Sequence, residues 1–100
     1  MNNITLLVFG LFLSLIGILN ITGDISTVHS YNRRKVRKED VPKYGRAMGT
    51  GTLIIGVSLV AAFVVAIWNE AVITFIIIPA VLVGISFMLY AQFRYNRGIF

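Results

Sequence analysis

Three long stretches of this chain carry no charge, and that fact decides what it can fold into. They cover residues 4–21, 47–68 and 71–93. A helix that crosses a bilayer needs roughly 20 mostly apolar residues. Ile, Val and Phe are abundant in all three runs, which in water would favour strands. The length of the runs overrides that preference. Lipid offers no water to backbone N–H and C=O groups, so only helices and closed barrels can span it. The period-two alternation of a barrel strand is absent. The expected fold class is an all-α membrane protein, a single membrane domain with three transmembrane helices at about residues 4–22, 45–68 and 71–93.

Composition points the same way. The chain is 57 % apolar and 13 % charged, against roughly 45–50 % and about 25 % in a soluble domain. A soluble chain of 100 residues buries only about two-thirds of its unfolded surface and could not hide this excess. Soluble enzymes and nucleic-acid-binding modules are excluded on that ground, so no nucleic acid partner is expected. There are no cysteines, one histidine and four acidic residues. Thiolate chemistry is therefore absent, and neither a metal site nor a cofactor is expected. Ser14, Ser26, Ser30, Ser58 and Ser86 lie in no nucleophile elbow, and His29 has no acid–base partner in the pattern. The chain is not expected to be an enzyme.

Charge then orients the spans. All nine basic residues fall in two places. Arg33, Arg34, Lys35, Arg37, Lys38, Lys43 and Arg46 lie between the first two runs, and Arg94 and Arg97 follow the third. The connection between the second and third runs carries only Glu70. Lysine and arginine favour the cytoplasmic side. Three spans put the first loop and the C-terminus on one side, so both basic segments can be cytoplasmic together. The expectation is an N-terminus outside, a basic cytoplasmic loop over 23–44, and a short basic cytoplasmic tail over 94–100. Trp68 then marks the outer boundary, and Tyr31, Tyr44, Tyr90 and Tyr95 the inner one, where amphipathic rings settle. The first run has neither a basic start nor a small-residue cleavage pattern, so it is expected to remain as a span.

Local signals place the helix ends. Gly23 suits the end of the first helix. Asp40 suits the N-cap of the second, with Pro42 in its first turn. The turn at Asn69–Glu70 is short enough to make spans two and three a tight helical hairpin. Pro79 is expected to kink the third.

Two features could carry function. Gly45, Gly49, Thr52 and Gly56 put small residues on the second span at i, i+4 spacing. Ala47 and Gly51 repeat that spacing, and Ser58, Ala62 and Ala66 add a second stripe. Small residues let helix backbones approach closely in lipid. The stripes serve either internal packing or contact with a second copy or another membrane protein. The second feature is the cluster Arg33, Arg34, Lys35, Arg37 and Lys38. Beside a span, such a cluster acts as a topology determinant and attracts anionic lipid headgroups.

The segments Val28 to Val36, Lys38 to Gly45 and Gly49 to Gly56 together resemble a group of small three-span bacterial membrane proteins. That group is found mainly in Gram-positive bacteria and is known as a domain of unknown function. The resemblance implies fold and location and carries no activity or site residue. The reading favoured by sequence is a structural, regulatory or accessory subunit of the cell membrane that acts through helix packing. The alternative is a small pore-former or transporter of the holin type.

Overall fold

The computed structural model describes residues 3–23, 25 and 36–96. They form three long helices, α1 (Ile4–Ile21), α2 (Val41–Ala66) and α3 (Ile73–Tyr95). Short 3₁₀ turns precede α2 at Lys38–Asp40 and α3 at Glu70–Val72. Among the described residues there is no strand. All three helices are long and apolar enough to cross a membrane.

The helix ends follow from local chemistry. At the end of α1, the Thr22 N–H donates to the Ile18 carbonyl and the Gly23 N–H to that of Asn20, both at 3.0 Å. Gly23 adopts φ 106°, a left-handed conformation that costs glycine no Cβ clash. Asp40 directly precedes α2, but it closes the 3₁₀ turn and its carboxylate caps nothing. Pro42 sits in the first turn of α2, where its missing N–H removes no helical bond. Between α2 and α3, the Asn69 N–H donates to the Val65 carbonyl at 2.9 Å. The Asn69 side-chain oxygen accepts from the Ala71 N–H at 3.0 Å, so one residue ends one helix and starts the next. The third helix continues through Pro79 to Tyr95.

The central element is α2. It packs closely against α1 and against α3, while α1 and α3 share little contact. It is also the most buried of the three. The outer faces of its neighbours carry large apolar side chains in the open, among them Phe9, Phe12 and Leu15 on α1 and Phe75, Ile78 and Leu82 on α3. In water this would be an inverted protein. In lipid these are the side chains that meet acyl chains.

One end of the bundle holds a compact mixed core. Tyr44 is fully buried there among Ile25, Met48 and Ala91. Its hydroxyl donates to the side-chain oxygen of Gln92 at 2.5 Å, joining α2 to α3. Sequence position alone had suggested an interfacial ring at Tyr44. Instead the ring points into the bundle, because Gln92 supplies the acceptor that a buried phenol needs. At the opposite end, the Asn3 amide donates to the Glu70 carboxylate at 2.9 Å and ties the start of α1 to the α2–α3 turn.

Tyr44 provides a stability test. Tyr44→Phe removes one hydrogen bond and is expected to cost about 1 kcal/mol. Tyr44→Ala also empties the ring site and is expected to cost about 3–5 kcal/mol, the range for large aromatic truncations. Thermal unfolding of the detergent-solubilised protein should rank wild type above Tyr44→Phe and Tyr44→Ala lowest.

Candidate functional site

The most specific feature of the bundle is how glycines bring its backbones together. A methyl group placed on Gly10 would lie 2.8 Å from the Gly56 carbonyl oxygen, and one on Gly56 would lie 2.9 Å from that of Gly10. Gly17 and Gly49 repeat the arrangement. The Gly49 carbonyl oxygen would be 2.8 Å from a methyl on Gly17, and the Gly17 carbonyl presses on the corresponding place at Gly49. Each carbonyl thus occupies the space its partner's side chain would need. Seven residues separate the two glycines on both helices. That spacing keeps both pairs on one seam between nearly antiparallel helices.

The same device recurs on the other side of α2. Gly51 and Gly84 face each other, with the Gly51 carbonyl oxygen 2.7 Å from the place of a methyl on Gly84 and the Gly84 carbonyl over Gly51. At 3.6 residues per turn, the α1 and α3 seams lie roughly 140° apart around α2. The close approach is also the geometry in which a Cα–H points at a facing carbonyl, a weak contact of perhaps 0.5–1 kcal/mol.

Among the four packing residues singled out from sequence, Gly45, Gly49 and Gly56 lie against α1. Gly45 meets the Asn20 carbonyl and Gly56 meets Ser14. Thr52 is buried, and its hydroxyl donates to the Met48 carbonyl of its own helix at 3.0 Å. Gly51 turns to α3. The stripe Ser58, Ala62 and Ala66 is buried as well. Sequence reasoning did not single out Gly10, Gly17 or Gly84. The signal that could have found the first two is their seven-residue spacing, which matches that of Gly49 and Gly56.

Polar groups within the spans are largely turned inward on their own helices. Ser58 donates to the Ile55 carbonyl at 2.6 Å, and Ser86 to the Leu82 carbonyl at 2.7 Å. Among the described residues, no group of three or more potential metal-ligating side chains comes together. Of the basic cluster, Arg37 and Lys38 are exposed at the Tyr44 end of the bundle. Arg33, Arg34 and Lys35 lie outside the described residues, as does His29.

Compared with protein-family models, curated proteins and solved structures, the chain matches none.

The seams predict the effect of adding bulk. Gly49→Ile forces a branched side chain against the Gly17 carbonyl and Ile21 and is expected to cost about 1–3 kcal/mol, as overpacking does. Val57→Ile adds one methylene at a half-exposed position and should change little. Melting of the two variants in detergent, beside wild type, measures the difference.

Proposed function

We propose that this chain is a small multi-pass protein of the cytoplasmic membrane that acts as a structural, regulatory or accessory subunit. Its N-terminus is outside and its C-terminus cytoplasmic. The observation that carries this reading is the division of labour among helix faces. The small residues of α2 are consumed by contacts with α1 and α3. The outward faces of α1 and α3 keep their large apolar side chains free. Those faces suit lipid, a second copy of the chain or a helix of another membrane protein.

Two further features support this reading. The hydroxyls of Thr52, Ser58 and Ser86 donate to their own helices, so they do not form a polar stripe offering free donors along a path. Lys43, Arg46 and Arg94 share the end of the bundle that holds Tyr44 and Gln92, while Glu70 sits with Asn3 at the other. Glu39 and Asp40 share the basic end, but the described lysines and arginines all lie there, which fits the preference of basic residues for the cytoplasmic side. In that orientation the cluster Arg33, Arg34, Lys35, Arg37 and Lys38 is on the side of the anionic inner leaflet by sequence order, and its charge would add attraction to headgroups.

Topology is tested with reporter fusions after Lys38, Asn69 and Phe100. The first and third should report a cytoplasmic location and the second an external one. A reporter at Lys38 that is active outside contradicts the orientation. In the same cells, expression should leave the membrane potential intact, and a partner or second copy should be captured by crosslinking within the membrane. Depolarisation on expression would instead favour the pore-forming alternative.

A further inference from the structure

A lateral groove of about 540 Å³ opens between α2 and α3 at the basic end of the bundle. Its volume falls within the roughly 300–1,000 Å³ of ordinary small-molecule sites. The glycine seams do not fill it, and the function proposed above does not use it. From the geometry and charge of this groove we infer that it holds one anionic phospholipid. The inference rests on the membrane reading above, but not on the orientation.

The groove is graded from charge to hydrocarbon. Lys43 and Arg46 stand one helical turn apart at its mouth, both exposed, and among the described residues its lining contains no carboxylate. The Tyr90 ring faces them from α3 and is half-exposed. Below the cations the wall continues through Ala47 and Thr50 on α2, opposite Ser86 and Phe87 on α3. Seven residues of helix separate Lys43 from Thr50, roughly 10 Å at 1.5 Å per residue. That is long enough for a headgroup and the top of an acyl chain to lie along the groove in sequence.

The hydroxyls decide what the lower groove can hold. Thr50 donates to the Arg46 carbonyl at 2.6 Å and Ser86 to the Leu82 carbonyl at 2.7 Å. Both donors are spent within their own helices. An acyl chain can therefore cover this wall without leaving a polar hydrogen unmatched. A free phosphate would use only the mouth, whereas a phospholipid uses both mouth and wall. Basic pockets between spans hold anionic headgroups in this way. The long stems of Lys43 and Arg46 suit the task, since they lie along apolar surface and lift their charges to the headgroup layer.

The test uses the full chain. Insertion into bilayer discs is measured first by size-exclusion chromatography. The protein in micelles is then titrated with phosphatidylglycerol or phosphatidylcholine, and bound lipids are counted by native mass spectrometry. One phosphatidylglycerol should bind at concentrations where phosphatidylcholine does not. Lys43→Gln with Arg46→Gln should weaken that site by roughly tenfold or more, from the loss of two headgroup-facing cations. Ser86→Trp keeps both charges and blocks the groove, and it should weaken the site as well. The variant with Gln at Arg33, Arg34, Lys35, Arg37 and Lys38 should retain it. Equal binding of the two lipids overturns the inference. So does wild-type affinity in the Lys43/Arg46 double variant or in Ser86→Trp, or loss of the site in the loop variant alone. Failure to enter discs would overturn the membrane reading itself, whereas entry followed by any of the other failures overturns only the groove.

Discussion

Everything in this bundle depends on backbone reaching backbone across α2. In lipid, helices gain nothing from hiding apolar side chains from each other, because acyl chains are as apolar as leucine. What remains is van der Waals contact and whatever polar interaction close approach permits. The pairs Gly10 with Gly56, Gly17 with Gly49 and Gly51 with Gly84 supply that approach. In each, a carbonyl oxygen occupies the space a side chain would need. The arrangement makes α2 the shared element and leaves α1 and α3 to face outward.

The rest of the design follows from that constraint. Because α2 spends its small residues on its neighbours, the large side chains of α1 and α3 are left on the surface. Polar links between helices are kept toward the two ends, at Asn3 with Glu70 and at Tyr44 with Gln92. Between those ends Thr52, Ser58 and Ser86 bond to their own helices. Beside the α2–α3 seam a lateral groove opens along Phe87 and Tyr90, and the basic residues of the first turns of α2 stand at its mouth.

Much of this architecture was legible in the residues themselves, since an uncharged run of sufficient length has one outcome in a bilayer. The three helices, the short turn around Asn69 and the glycine at the end of α1 rest on such local signals. The pairing of faces does not. Gly45, Gly49 and Gly56 share a stripe that periodicity reveals, but nothing local says which neighbour it meets. Gly10 and Gly17 sit in a run where every neighbour is apolar, so their role appears only when their spacing is matched to another helix. Tyr44 is a similar case. Its position near a boundary suggests an interfacial ring, and only the register of α2 against α3 brings Gln92 to its hydroxyl.

Glycine backbones of neighbouring helices are in contact across both seams, and solid-state NMR can detect that contact. The chain has only nine glycines, and ¹³C labelling of glycine alone leaves an uncrowded carbonyl-to-Cα spectrum in lipid bilayers. Gly49 and Gly51 are near neighbours on α2 and provide an internal reference. Through-space cross-peaks are expected between Gly10 and Gly56, between Gly17 and Gly49, and between Gly51 and Gly84. A spectrum with the Gly49–Gly51 peak but none of these three would mean that the helices do not meet through their glycines.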